Sequence, residues 1–132
     1  MAQHTVLLVD DDPVFVDALK AVLTVHFEVR TAGSGEEAVA SVNQHRPDLI
    51  VLDVMMTYPS EGYDLARTLR GNPATADIPI IILTGVSKMF ETRARVELRW
   101  VEVERFMTKP PDFPTLITAI NELIAQHAGA GL

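Results

Sequence analysis

The sequence contains no cysteine, which removes disulfide bonds, thiol nucleophiles and cysteine metal sites together. It contains no apolar run approaching the roughly 18 residues that a membrane-spanning helix needs. Its first residues, Met1-Ala2-Gln3-His4, are not a basic stretch leading into an apolar one, so they do not read as a signal peptide. Positive charge is scarce: 11 Lys plus Arg stand against 18 Asp plus Glu, for a formal net charge of −7. Binding a phosphate backbone needs a basic footprint, so the balance argues against direct contact with nucleic acid. The four histidines, His4, His26, His45 and His127, are scattered without metal-ligand spacing. What remains is an acidic domain expected in the cytoplasm. At 132 residues and 48% hydrophobic it is long and apolar enough for one core, without staples.

Three short aliphatic runs stand out: Val6-Leu7-Leu8-Val9, Leu49-Ile50-Val51-Leu52 and Ile80-Ile81-Ile82-Leu83. They lack polar alternation, which is the habit of strands buried on both faces of a parallel sheet. Weaker strands fit at Phe27 to Thr31 and Val103 to Met107. Helical patterns fill the gaps. Asp12-Pro13 is a cap followed by proline at the first helical position, and Phe15, Ala18, Leu19, Val22 and Leu23 then form one apolar stripe. Ser34-Gly35-Glu36-Glu37 is a capping-box pattern leading into Ala38, Val39 and Val42. A third helix is predicted over Gly62 to Leu69, ended by Gly71-Asn72-Pro73, and a charged fourth over 87–99. Asp112 caps a fifth, with Phe113, Leu116, Ile117, Ile120, Leu123 and Ile124 as its stripe. The sequence shows no repeat, and 128–132 reads as a frayed tail beyond a core of about 4–127.

Strands alternating with helices imply an α/β layer fold with a parallel sheet, whose sites lie outside the carboxyl ends of the strands. Those ends carry Asp10, Asp11 and Asp12, then Asp53, then Thr84 and Gly85, then Thr108, Lys109 and Pro110. Crowded carboxylates repel, and magnesium suits a place with one or two carboxylates, waters and phosphate oxygens. A lysine and a hydroxyl opposite suit phosphoryl oxygens, and an aspartate there is a candidate nucleophile for an acyl phosphate.

At this point the chain resembles the receiver domains of two-component response regulators, including the chemotaxis type. The resemblance rests on Leu7-Leu8-Val9-Asp10-Asp11-Asp12-Pro13, on Pro47-Asp48 through Leu52-Asp53-Val54-Met55-Met56, on Pro79 through Leu83-Thr84-Gly85, and on Phe106-Met107-Thr108-Lys109-Pro110. It implies a flavodoxin-like (βα)5 three-layer sandwich with strand order 2-1-3-4-5. It makes 1–132 a single receiver domain, stand-alone or cut from a larger regulator. It implies that Asp53 accepts a phosphoryl group from a histidine kinase or phosphotransfer protein. Asp11 would bind Mg2+ directly, Asp10 mainly through water, and the Met55 backbone carbonyl would complete the metal site. Thr84 and Gly85 would form the switch loop, Phe106 the aromatic that changes rotamer with it, and Lys109 the phosphate partner, with Pro110 in a cis peptide. The output would pass through the fourth helix, fifth strand and fifth helix to a downstream protein or output domain. A homodimer through those helices is compatible with the family, although no residue points to it. Such a domain is a signalling module rather than an enzyme: it assists only its own phosphotransfer and dephosphorylation.

The chain also departs from the receiver pattern. Thr57 stands where a proline is common, Pro59 comes later, and Gly62 is nine residues past Asp53, so an extra residue is expected in the Tyr58-Pro59-Ser60-Glu61 loop. Gly85 replaces the commoner alanine. The segment 86–104 is long and carries Trp100, read as tucked under the connection to the fifth strand or as part of a partner surface. Two other motifs compete with this reading. Gly33-Ser34-Gly35-Glu36-Glu37-Ala38 fits the dinucleotide pattern G-x-G-x-x-G/A, but it opens the second helix and puts two carboxylates where a pyrophosphate belongs. Asp10-Asp11-Asp12-Pro13-Val14 fits the opening of haloacid-dehalogenase-like phosphatases, with Asp10 as nucleophile and Asp12 as acid/base, but it leaves Asp53 unexplained. A phosphorylation-independent pseudo-receiver is the other alternative.

Overall fold

The computed structural model describes residues 3–54, 59–85, 88–99, 101–109 and 111–130. Five strands alternate with five helices: β1 (Thr5–Val9), α1 (Pro13–Leu23), β2 (Glu28–Ala32), α2 (Gly35–Gln44), β3 (Leu49–Asp53), α3 (Pro59–Gly71), β4 (Ile80–Thr84), α4 (Lys88–Glu97), β5 (Arg105–Thr108) and α5 (Phe113–Ala130). All neighbours are parallel, and the order across the sheet is β2-β1-β3-β4-β5. No helix among the described residues is long and apolar enough to cross a membrane.

The uniform aliphatic runs have a simple cause. Alternate residues of each strand feed opposite cores. Leu7, Val9, Ile50, Leu52, Ile80 and Ile82 pack with α2, α3 and Leu98. Val6, Leu8, Leu49, Val51, Ile81 and Leu83 pack with α1 and α5. Both faces are covered, so neither can be polar. Within the helices, Leu19 and Leu23 of α1 and Leu116, Ile120, Leu123 and Ile124 of α5 are buried as their stripes predict. Ala18, placed on the α1 stripe by its spacing, is exposed.

Several element ends differ from the sequence expectation. α3 begins at Pro59, not Gly62. Most of the expected Tyr58–Glu61 loop is therefore the first helical turn, where proline's fixed φ is at home. Glu61 in that turn takes the Gly35 N–H at 2.9 Å and so helps cap α2. At its other end Thr75 Oγ1 donates to the Leu69 carbonyl at 2.6 Å, closing α3. β5 begins at Arg105, not Val103. The reason is Glu104, whose carboxylate accepts the Ile80 N–H at 2.6 Å and does the work of a ladder carbonyl. Arg70 holds that carboxylate at 2.7 Å and donates to the carbonyls of Ile78 and Glu102 at 2.6 and 2.5 Å. One guanidinium thus ties the end of α3 to the segments that lead into β4 and β5. α5 continues to Ala130, through part of the expected frayed tail. Trp100 and the 86–87 pair lie outside the described residues.

Candidate functional site

The C-terminal rim of the sheet is built from the residues that follow β1, β3, β4 and β5. Asp10 leaves β1 with its N–H still bonded to the Ala32 carbonyl at 3.0 Å, so it cannot splay away from the sheet. Its Oδ1 accepts the Asp12 N–H at 2.9 Å. Asp12 turns outward and caps α1, accepting from Val14 and Phe15 N–H at 3.1 and 3.4 Å. Asp53 is the last residue of β3 and is 1% exposed. Thr84 ends β4, and its carbonyl accepts the Lys109 N–H at 2.7 Å, which brings the residue after β5 to the rim.

Those backbones converge three carboxylates and one ammonium. Lys109 Nζ lies 3.0 Å from Asp10 Oδ2 and 3.1 Å from Asp53 Oδ2. Asp10, Asp11 and Asp53 each offer an oxygen within 4.8 Å of the others. Burial pulls the Lys109 ammonium's pKa down, but the hydrogen bonds it donates to Asp10 and Asp53, with the charges of both, outweigh it, and the pKa is raised. The site therefore favours the charged form of the lysine. One ammonium against three carboxylates still leaves two formal negative charges, two of the three carboxylates being almost fully buried.

The donor set fits a hard divalent cation. Magnesium binds oxygens at about 2.0–2.1 Å, so two of its ligands are at most about 4.2 Å apart. The observed spread needs only small side-chain rotations to match. At the adjoining end of β4, Thr84 Oγ1 is buried and finds no hydrogen-bond partner among the described residues. A buried hydroxyl left in that condition costs about 1–3 kcal/mol unless something fills the vacancy.

Of the residues singled out in the sequence, Asp10, Asp11, Asp53 and Lys109 form this cluster, and Thr84 adjoins it through its backbone. Gly85 follows it, half buried. Phe106 is partly buried against the α2/α3 core, and the Arg95 guanidinium lies 4.6 Å from its ring centroid. Asp12 stays outside the cluster, as its capping role requires. The Met55 carbonyl and Pro110 lie outside the described residues. The dinucleotide-like glycines are taken: Gly33 N–H goes to Glu37 at 2.5 Å and Gly35 N–H to Glu61, so no amide pair awaits a pyrophosphate there.

Two features escaped the sequence. Phe15, read only as a stripe residue, places its ring 4.2 Å from Lys109 Nζ. Gly62 lies against the backbone just after β3: a Cβ there would sit 3.0 Å from Val54 Cα and 3.2 Å from the Asp53 carbonyl oxygen. Only a glycine lets α3 approach the Asp53 segment so closely.

Comparison with known proteins places this geometry. The family model described as the response regulator receiver domain matches residues 6–121. PilH of Pseudomonas aeruginosa is 34% identical over 121 residues, covering 91% of this chain and 97% of that protein. The response regulator PleD of Caulobacter vibrioides is 34% identical over 119 residues, covering 89% of this chain but 25% of PleD, so the chain spans about a quarter of that relative's length. The crystal structure of a putative response regulator from Chloroflexus aurantiacus superposes with a TM-score of 0.82 at 31% identity, over 93% of this chain and 98% of that one.

Proposed function

This chain belongs to the response regulator receiver domain family, and from that membership we propose that it is a phosphorylation switch in which Asp53 accepts a phosphoryl group from a histidine kinase or phosphotransfer protein. The observation that carries the reading is the Lys109 ammonium bridging Asp10 and Asp53 beside a third carboxylate. Residues 1–132 then act as one receiver, working in the cytoplasm on a downstream protein or an output domain.

The chain's own groups account for the transfer. A carboxylate oxygen of Asp53 attacks the phosphorus, the phosphorus–nitrogen bond to the donor histidine breaks, and the imidazole nitrogen keeps the electron pair. Lys109 donates to a phosphoryl oxygen, and its bond to Asp10 keeps it in place while it does so. The Thr84 hydroxyl finds its missing acceptor in a second phosphoryl oxygen. Asp11 and Asp53 would hold Mg2+ directly and Asp10 mainly through water, joined by the backbone carbonyl of Met55; the ion would supply the positive charge that lets an anionic phosphoryl group approach anionic carboxylates. Catalysis of this kind is positioning plus charge stabilisation, with no further chemistry required of the protein. The inward pull on Thr84 would then shift Phe106 and the face formed by α4, β5 and α5.

The test is to incubate the protein with Mg2+ and a small phosphodonor, or with beryllofluoride, and map the modified carboxylate. An adduct on Asp53, lost in Asp53→Ala, is expected. An adduct on Asp10 would establish the phosphatase-like reading instead, against which the engaged Asp12 cap already weighs. No adduct on any residue would leave a pseudo-receiver.

A further inference from the structure

Lys109 has three N–H donors, and two of its neighbours are the carboxylate oxygens of Asp10 and Asp53. The Phe15 ring provides another, with its centroid 4.2 Å from Nζ. An aromatic face attracts a cation through its quadrupole, and does so more strongly where water is excluded. The ring is itself well held. Phe15 sits in the first turn of α1, its N–H is bonded to the Asp12 cap, and it packs against the α1/α5 core. A small cavity lined by the ring together with Leu19, Val51 and Asp53 adjoins it, with room for about one water.

We propose that Phe15 is a positioning residue for Lys109: its π face fixes where the ammonium sits without neutralising its charge. The alternatives at this place would each act differently. A carboxylate would hold the lysine but compete with the arriving phosphoryl oxygens. An aliphatic side chain would exclude water but exert no pull of its own, leaving the two carboxylates alone to place the ammonium. The ring attracts the cation and yields no anion, so the lysine stays placed and its charge stays available. The same acidic run that supplies Asp10 and Asp11 caps the helix turn carrying the ring, so carboxylates and ring are set by one piece of backbone. For its functional consequence this inference rests on the phosphoryl-acceptor reading of the site; the placement of the lysine does not.

The experiment compares Phe15→Leu and Phe15→Tyr with the parent protein, after thermal melts establish that both fold. Two quantities are read. The first is the NMR shift of the Lys109 ε-methylene and ammonium protons, without Mg2+ or phosphoryl analogue. An upfield ring-current displacement is expected in the parent and in Phe15→Tyr, and is lost in Phe15→Leu. The second is the affinity for beryllofluoride in saturating Mg2+. Phe15→Tyr should stay within about twofold of the parent, and Phe15→Leu should weaken by about two- to thirtyfold, the range of a cation–π contact. A parent protein with no ring-current displacement, a Phe15→Leu protein of undiminished affinity, or a Phe15→Tyr protein as weak as Phe15→Leu would each overturn the proposal. Should the parent bind no beryllofluoride, the phosphoryl-acceptor reading fails, while the NMR comparison still decides whether the ring places the lysine.

Discussion

Replacing Asp53 by asparagine should make the metal-free protein more stable, although it removes a buried, hydrogen-bonded carboxylate. Asp53 faces Asp10 and Asp11 at no more than 4.8 Å and Lys109 at 3.1 Å. At an effective dielectric near 20, each repulsion is about 3.5 kcal/mol and the attraction about 5.4 kcal/mol. Among these three pairs alone, two repulsions exceed one attraction by about 1.5 kcal/mol. Asp53 is also 1% exposed, and the desolvation of an ion so placed adds to the penalty. Asparagine has nearly the same shape and keeps an oxygen for Lys109. We therefore expect Asp53→Asn to gain about 1–3 kcal/mol in EDTA, which for a chain of this length raises Tm by about 4–12 °C. Magnesium should reverse the ranking of benefits. At a hundred times its Kd the ion stabilises the native aspartate site by about 2.7 kcal/mol, and the variant, having lost one ligand, should gain far less. Differential scanning calorimetry in EDTA and across a magnesium series checks both halves. A variant that melts below the parent in EDTA, or that keeps the full magnesium-dependent rise, would mean that Lys109 alone balances the cluster and that no strain is stored for a cation to relieve.

Lys109→Ala removes the cation that competes with magnesium, so the variant should still bind Mg2+, read by a metal-dependent Tm rise, while losing its response to beryllofluoride; an unchanged response would remove the lysine from the site's chemistry. Arg70→Ala breaks an ion pair whose side chains are 12% and 16% exposed and strips three carbonyls of a donor, so denaturant titration should show a loss of about 3–5 kcal/mol; a loss under 1 kcal/mol would assign it the worth of a surface pair. Tyr63 is buried, and its phenol pKa is raised, first by desolvation and then by Glu97, with Arg93 opposing. Its neutral form is favoured by the fold, so the associated stability is fully present below about pH 10 and is lost as pH rises through the folded-state value. Phenolate absorbance during alkaline titration should therefore show one late component, absent in Tyr63→Phe. Gly62→Ala forces a Cβ to within 3.0 Å of the Val54 backbone, and overpacking of that kind costs about 1–3 kcal/mol; the loss should accompany weaker magnesium binding, since the displaced segment carries Asp53.

Where one rule decided the outcome, the sequence was readable. The strands Val6–Val9, Leu49–Leu52 and Ile80–Leu83 announce themselves because both faces of the sheet are covered. Asp12, Ser34 and Asp112 announce helix starts because their side chains have donors to satisfy. Four of the site residues were visible for a related reason: buried strand ends rarely carry acid or lysine without a purpose. The misses arise where a side chain does the backbone's work, or where contact depends on the tertiary fold. Glu104 takes over a ladder position, which shortens β5, and no periodicity reveals that. Pro59 looks like a loop breaker but serves as the first residue of α3. Phe15 has the spacing of any core residue, and only the arrival of Lys109 from the far end of the chain turns its face into a binding surface.

That arrival has a consequence for how the protein is made. Lys109 and Asp10 are 99 residues apart in sequence, yet they share one hydrogen bond. The lysine follows β5, an edge strand whose partner in the sheet is β4. During synthesis the aspartates emerge long before the lysine does. A chain halted anywhere before β5 carries the acidic rim without the ammonium that bridges Asp10 and Asp53. The last strand to be delivered is the one that completes the cluster, so on the proposed phosphoacceptor reading an incomplete receiver would be silent, and competence to accept a signal would itself report that the sheet has closed.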